Sequence, residues 1–412
     1  MTTLAVVVFL LVYLGMIFGG LPFLQLDRTG IALLGAIVIV ASQVISVEDA
    51  YRSLHSPTLI LLFSFMVISA QLRLGGFYPW VARRIASSNS SPPALLGAII
   101  ISSGYLSAVF SNDVVCLAMA PVIIEICRAR NFNPMPFLIG LACAANIGSA
   151  ATLIGNPQNM LIGQTLNLSF GRYLLLTFIP VALSLIVTWC IVIVLKRHQG
   201  WGSWESTMSI PKDKRSEEPA PLDFWQTTKG LAVAILLFIA FLYAPWPREL
   251  MALAGAGLLL CSRRLHSRHM LGLVDWQLLI LFMALFVVNH ALQITGLPTQ
   301  VVQALASVGF NMRDPGPLFV TSFALSNIVS NVPAVMLLLP TTVGDYAGTL
   351  LALSSTLAGN LLIVGSIANI IVVDESARRG ITIGWRDHAA LGIPVTFVSL
   401  GISWAYFSLF TS

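Results

Sequence analysis

The sequence predicts an all-α protein that crosses a lipid bilayer many times, and three observations lead to this fold class. Of its 412 residues, 57% are hydrophobic and 9% are charged. Soluble domains carry about 25% charged residues, so this composition excludes a water-exposed globular surface. Apolar segments of spanning length recur along the chain, and polar motifs recur in its two halves. We therefore expect a polytopic helical protein built from two repeats.

Ten apolar segments are long enough to cross the hydrocarbon core, which requires roughly 20 residues of helix. The first has neither the charged flank nor the cleavage site of a signal peptide, so we interpret it as a span. The ten segments lie at 4–24, 30–46, 57–75, 136–166, 172–196, 227–244, 247–262, 276–294, 347–373 and 388–409.

Two further apolar regions, 94–127 and 316–344, are predicted to be re-entrant hairpins. The first region has arms over 94–110 and 114–127, separated by Ser111-Asn112-Asp113. At about 1.5 Å per residue, neither arm reaches across a core of about 30 Å. We expect each hairpin to enter the bilayer, turn near its middle and leave on the same side.

The basic residues predict how the chain is oriented. If ten spans and two hairpins begin from an external N-terminus, 18 of the 22 lysines and arginines fall on one side of the membrane. The other side holds Arg52, Arg172, Arg248 and Arg313. Because positive charge accumulates on the cytoplasmic side, we expect both termini to be periplasmic.

The two halves of the chain repeat the same motif. Leu106-Ser107-x-x-x-Ser111-Asn112 recurs 219 residues later, beginning at Leu325-Ser326. We assign 1–197 to the first repeat, 198–224 to a cytoplasmic linker and 225–412 to the second repeat. Each repeat has an odd number of spans, so the second copy lies upside down in the membrane. Inverted repeats of this kind are typical of secondary transporters.

Four polar clusters lie where hydrocarbon normally excludes polar groups. Asparagine, serine and glycine at membrane depth line a cavity or are buried in protein. Packing between helices is the simpler explanation for an isolated case, but symmetric clusters favour a substrate site. The candidate substrate-binding residues are Ser111, Asn112, Asn146, Gly148, Ser149, Asn156, Asn159, Ser330, Asn331, Asn360, Ser366 and Asn369.

Asp113 is the one acidic residue that the predicted spans place deep in the membrane, and Val332 replaces it in the second repeat. An intramembrane carboxylate is a candidate functional group. We expect Asp113 to carry a coupling proton or to bind a cation. The alternative is that it only caps its own helix.

The motifs resemble those of the ion-transporter superfamily. The similarity lies in the Asn112-Asp113 tip, the run from Ala145 to Asn159, Ser330-Asn331-Val332-Pro333, and Gly359-Asn360 with Gly365-Ser366-Ile367-Ala368-Asn369. The superfamily includes arsenite/antimonite permeases, D-type sodium/proton antiporters and divalent-anion:sodium symporters. The resemblance implies ten spans and two hairpins, arranged as a scaffold part and a transport part that carries both hairpins and both broken helices.

Within this superfamily, the sequence favours proton-coupled efflux of arsenite or antimonite. These solutes are neutral hydroxides near pH 7, and the clusters offer amides and hydroxyls without lysine or arginine. The tips resemble those of arsenite permeases. A sodium/proton antiporter is the second interpretation. A dicarboxylate or other anion permease is third, because the charge of Asp113 would repel a dianion. An enzyme is disfavoured, since the spans lack a nucleophile–base pair, H-E-x-x-H or C-x-x-C.

The expected partners are the small solute, protons and the bilayer of a bacterial inner membrane. No G-x-x-x-x-G-K-[ST] phosphate-binding loop occurs, so energy comes from an ion gradient or from another chain. A soluble ATPase subunit is therefore left open as a partner. We expect no cofactor, no bound metal and no nucleic acid.

Overall fold

The computed structural model describes residues 2–19, 25–86, 91–199, 201, 221–344 and 346–411, and it is helical without strands over these residues. The helices of the first half are α1 (Thr2–Phe18), α2 (Arg28–Ala41), α3 (Val47–Ser53), α4 (Ser56–Leu74), α5 (Phe77–Ala86), α6 (Pro92–Val109), α7 (Asn112–Ala129), α8 (Met135–Ser149), α9 (Pro157–Thr165) and α10 (Phe170–Gln199).

The helices of the second half follow the same order as those of the first. They are α11 (Phe224–Tyr243), α12 (Arg248–Leu260), α13 (Ser267–Leu271), α14 (Trp276–Ile294), α15 (Leu297–Ser307), α16 (Pro315–Val329), α17 (Asn331–Leu338), α18 (Ala347–Ala358), α19 (Ile367–Ala377) and α20 (Trp385–Thr411). The predicted linker over 198–224 lies largely outside the described residues.

Counterpart helices run in opposite directions, as inverted repeats require. In the pair α4 and α14, the ring of His55 lies 6.3 Å from Phe286, and Phe63 lies 6.0 Å from Trp276. Residue numbers therefore rise along one helix as they fall along the other. The predicted fold class, an all-α protein with inverted repeats and broken helices, is confirmed.

The first hairpin consists of α6 and α7, and its arms differ from those predicted. The second arm begins at Asn112 and has 18 residues, so the predicted arm of 114–127 was too short. Asn112 and Asp113 form the first helical turn, and only Phe110 and Ser111 separate the two helices. The lengths of the two helices therefore do not distinguish a re-entrant hairpin from two full crossings, because α6 is itself long and apolar enough to span a membrane.

Contacts at the tip of this hairpin support the re-entrant interpretation better than length does. The backbone N–H of Asn112 donates to the carbonyl of Gly155 at 3.3 Å. Gly155 lies in the first break (150–156), which separates α8 from α9 and so lies in the middle of a predicted crossing. A tip that touches the middle of a crossing helix pair lies at membrane depth, not at the surface.

The second break (359–366) separates α18 from α19 in the same way. Each half-helix after a break is capped by a side chain. Asn156 accepts from the backbone N–H of Asn159 at 2.9 Å, and Pro157 occupies the first turn of α9. Ser366 accepts from the N–H of Ala368 at 3.2 Å. Asparagine, serine and proline favour these positions because they satisfy or replace otherwise unpaired N–H groups.

The helices form two groups that meet at the centre of the molecule. Helices α1, α2, α4, α11, α12 and α14 pack mainly on one another, with α12 against α4 and α14 against α2. Both hairpins and both broken helices pack together with α10 and α20. Six described helices, α4, α6, α10, α11, α14 and α20, are long and apolar enough to span a membrane. The total of ten crossings stays a prediction.

Candidate functional site

One asparagine joins four elements at the centre of the molecule. The Asn146 side chain, at the end of α8, accepts hydrogen bonds from Asn112 Nδ2 at 3.0 Å and from Ser366 Oγ at 2.8 Å. Its own Nδ2 donates to Asn360 Oδ1 at 2.9 Å and to Asn369 Oδ1 at 3.1 Å. The first hairpin tip and both broken helices therefore meet at Asn146.

A second polar cluster fixes the first break. Asn156 Nδ2 donates to Ser149 Oγ at 2.9 Å, and Asn159 Nδ2 donates to the carbonyl of Thr152 at 3.0 Å and to the Tyr173 hydroxyl at 3.1 Å. These partners satisfy backbone and side-chain groups that the break would leave unpaired, which is a structural role. Thr356 of α18 extends this cluster to the second repeat.

The tip of the second hairpin has an unusual backbone. Ser330 adopts φ 78° and ψ 159°, a region that a residue with a Cβ enters at a cost of about 1–3 kcal/mol. Ser111, at the equivalent position, has φ −57°. Neither serine side chain caps the following helix. The amide of the next residue, Asn331, lies beside Gly359 of the second break.

Several buried polar atoms around the two tips have no hydrogen-bond partner among the described residues. Buried polar atoms in proteins are nearly always paired, so each exception needs an explanation. Four of these atoms form two pairs whose residues occupy equivalent positions in the two repeats, which is not expected for random packing defects. The atoms are Oγ of Ser107 and of its counterpart Ser326, Oδ1 of Asn112 and of its counterpart Asn331, Oδ1 of Asn327, and Nδ2 of Asn360.

Asp113 lines a small cavity beside the first tip, among mostly apolar side chains. The cavity has a volume of about 120 Å³ and is also lined by Ser111, Arg73 and Asp275. Within the described chain the Asp113 side chain forms no hydrogen bond or ion pair, and it does not cap α7. A capping role, the alternative considered from the sequence, therefore has no support in the contacts of this carboxylate.

A larger cavity of about 970 Å³ lies between α6, α8, α10 and α11. Its lining consists almost entirely of apolar side chains, including Ile101, Phe178 and Phe238. A polar solute would lose its hydration there without gaining hydrogen bonds. This cavity therefore does not belong to the candidate site.

Close backbone contact holds the first hairpin against α8. A Cβ at Gly148 would overlap the backbone of Gly104 on α6, so only glycine permits this approach. This contact helps to set the position of the tip, because Asn112 belongs to the same hairpin as Gly104 and Asn146 belongs to the same helix as Gly148.

Replacing Gly148 by alanine is expected to destabilise the protein by about 1–3 kcal/mol, because the added methyl group must push α6 from α8. The matched control is Gly257→Ala, where an added Cβ has open space and a helical alanine gains about 0.5–1 kcal/mol. Thermal unfolding in detergent compares the two variants. Equal melting temperatures would show that α6 and α8 can separate freely.

The predicted site residues divide into five sets in the structure. Five surround Asn146 or belong to its network: Asn112, Asn146, Asn360, Ser366 and Asn369. Ser149, Asn156 and Asn159 fix the first break, and Gly148 provides a close helix contact. Ser330 and Asn331 form the second tip, whereas Ser111 lines the cavity with Asp113.

Sequence reasoning missed several residues at this centre. Ser107 and Ser326 were part of the repeated motif, so the repeat itself could have identified them. His388 Nε2 lies 3.0 Å from the carbonyl of Asn360, and Thr356 joins the two breaks, but neither lies in a recognisable motif. Arg73 and Asp275 were assigned to helix ends and were not linked to Asp113.

Residues 8–349 match the sequence profile of the citrate transporter family, CitMHS. The chain belongs to this family. CitMHS is part of the ion-transporter superfamily, so the resemblance drawn from the motifs is confirmed at that level. The chain is therefore a multi-pass membrane transporter of small solutes and not an enzyme.

Relatives align along almost the full length of the chain. The silicon efflux transporter LSI3 of Oryza sativa is 28% identical, with 94% of this chain and 93% of the relative covered. A Dictyostelium discoideum protein that bears the name arsB is 22% identical, with 91% and 86% covered.

A solved structure has the same fold. The YdaH transporter of Alcanivorax borkumensis superposes with a TM-score of 0.58 at 14% identity, covering 100% of this chain and 98% of the other. At this identity the comparison shows the fold alone.

Proposed function

We propose that the chain is a proton-coupled exporter of arsenite and antimonite, and that its substrate binds where the two hairpin tips meet the two breaks. The observation that carries this proposal is the group of unpaired buried amide and hydroxyl atoms around Asn146. A solute with several O–H groups can donate to the free Oδ1 atoms of Asn112 and Asn331 and accept from Nδ2 of Asn360.

The charges near the site favour a neutral solute. The cavity beside the first tip carries two carboxylates, Asp113 and Asp275, against one guanidinium, Arg73. An anion with two or three carboxylates would meet net repulsion there, although the family takes its name from citrate. The names of two relatives fit this preference, because silicic acid and arsenous acid are both uncharged hydroxides near neutral pH.

Asp113 is the proposed coupling residue. Its carboxylate borders the tip at which Asn112 binds Asn146, yet it has no partner of its own among the described residues. A proton gained or lost here changes the charge next to the bound solute. We further propose that this tip faces the cytoplasmic half of a bacterial inner membrane, as the distribution of basic residues predicts.

Everted inner-membrane vesicles containing the protein test this function. With an acidic lumen, protons leave as solute enters, so arsenite should accumulate inside against its gradient. Silicic acid, citrate and sodium ions are tested in parallel in vesicles of the same preparation. Accumulation of sodium without arsenite would instead identify a sodium/proton antiporter. In that case the free Oδ1 atoms of Asn112 and Asn331 would serve as ligands of the sodium ion. Accumulation of citrate alone would identify an anion permease.

A further inference from the structure

Charged side chains of different exposure line the cavity beside Asp113. Asp113 and Arg73 are half-buried, whereas Asp275 is exposed. About 120 Å³ of space holds several water molecules, since one needs only about 30 Å³ of liquid volume. The charged side chains provide the partners that buried water requires.

We propose that this cavity is the route by which Asp113 exchanges its proton with the aqueous phase. In this proposal Asp275 is the proton relay at the exposed side of the cavity. The proposal rests on the coupling role of Asp113 proposed above. Each exchange breaks the O–H bond of the Asp113 carboxyl group, passes the proton through water to the Asp275 carboxylate, and releases it from there to bulk water.

The geometry of Asp275 suits a relay. One carboxylate oxygen, Oδ1, accepts from the backbone N–H of Leu278 at 2.9 Å and so caps α14. The second oxygen has no hydrogen bond within the described chain, and the residue lines the cavity. Asp275 is thus held in place by one oxygen while the other remains free to take up and release a proton.

Arg73 lies at the end of α4 and lines the same cavity. The acidic group that acts on its charge is Glu375 of α19. The second repeat lacks this arrangement. Val332 replaces Asp113, and the corresponding turn of α14 carries Leu292 and Gln293. A charged route therefore exists at one hairpin, which matches the single coupling carboxylate.

Other ionisable groups near the cavity are already engaged or lie deeper in protein. Glu375 on α19 binds Arg379 at 2.6 Å and Arg378 at 3.9 Å, so its charge is compensated. Cys116 on α7, Tyr78 on α5 and Cys143 on α8 are buried. The remaining charged groups of the packed helices are Arg83 and Arg84 on α5, Glu125 and Arg128 on α7, and Asp374 on α19.

A pair of neighbouring cysteine substitutions tests whether the cavity contains water. Val114 lines the cavity, whereas Val115, the next residue, is fully buried. In a variant without the native cysteines, Val114→Cys should react with a membrane-impermeant thiol reagent added outside everted vesicles, and Val115→Cys should not. Failure of Val114→Cys to react from this face in folded protein would overturn the route, whatever the substrate is.

A second pair tests the relay. Asp275→Asn keeps the helix cap but removes the ionisable group. Asp223→Asn is its matched control, because Asp223 caps α11 through the same contact, with the N–H of Gln226 at 3.1 Å, and does not line the cavity. We expect Asp275→Asn to slow arsenite uptake driven by the pH gradient several-fold and to leave arsenite exchange at equal pH unchanged. Formate, a small weak acid, should restore the driven rate.

The outcomes separate this proposal from the proposed function. In one outcome, Asp113→Asn abolishes uptake driven by the pH gradient, whereas Asp275→Asn keeps the unmodified rate and formate does not change it. The coupling role of Asp113 then stands, and the route through Asp275 is wrong. If Asp113→Asn itself keeps driven uptake, the proposed coupling fails. Loss of rate in both Asp275→Asn and Asp223→Asn, without rescue by formate, would show a structural effect of the caps and would also overturn the relay.

Discussion

Replacing Asn146 by alanine is expected to reduce transport per folded molecule by roughly 100-fold or more. Asn146 makes four hydrogen bonds, to Asn112, Ser366, Asn360 and Asn369. A net loss equal to two bonds of about 1.4 kcal/mol each already corresponds to that factor. The effect exceeds that of a single lost contact because the first tip and both broken helices lose their common partner.

A second variant separates the hydrogen bonds that Asn146 accepts from those that it donates. Asn146→Asp keeps the oxygen that accepts from Asn112 and Ser366 but loses both donated bonds, so we expect it to fold and to transport weakly. Asn311→Ala, which removes an asparagine outside this network, serves as the control for expression and folding. Uptake of arsenite into everted vesicles is measured relative to the amount of monodisperse protein. Normal uptake by Asn146→Ala would show that the network only packs the helices.

Hydrocarbon excludes polar groups, so the sequence could mark asparagines at membrane depth as candidates for one site. The structure brings Asn112, Asn146, Asn360 and Asn369 together. Their role in binding substrate stays a prediction. The repeated motif also predicted that the second half is inverted. Both inferences depend on physical constraints that act on every membrane protein and not on details of side-chain packing.

Other features could not be predicted from the sequence. Asn112 and Asp113 were read as the interruption of the hairpin, yet polar residues are equally suited to the first turn of a helix, where N–H groups need acceptors. Arg73 and Asp275 are ordinary helix-end residues in the sequence, because their proximity to Asp113 depends on how α4 and α14 pack against α7. His388 and Thr356 reach the breaks from single positions that no periodic pattern marks.

The cavity also explains why the two hairpins differ although their motifs match. Asp113 and Arg73 line the cavity beside the first tip, and the second repeat has uncharged residues, Val332 and Leu292, at the corresponding positions. A symmetric pair of carboxylates would place two charges near the substrate. With Val332 in the second repeat, one carboxylate lies beside the hairpin tips, next to neutral amides and hydroxyls.

Replacing Asp113 by asparagine is expected to abolish uphill transport while arsenite exchange continues. Asparagine has nearly the same shape as a protonated aspartate, so the site should still bind a neutral solute. It cannot release a proton, however, and the pH gradient then has no group through which to act. Exchange of labelled for unlabelled arsenite across the vesicle membrane should also lose its dependence on pH.

The control for Asp113→Asn is Asp314→Asn, an exposed residue before α16 that lies at neither the cavity nor the Asn146 network. It should accumulate arsenite normally. A sodium/proton antiporter would respond differently to Asp113→Asn, since loss of the carboxylate would remove sodium binding and leave arsenite tolerance of cells unchanged. If Asp113→Asn accumulates arsenite at the unmodified rate, the coupling group lies elsewhere, and His290, a half-buried histidine within α14, is the next residue to replace.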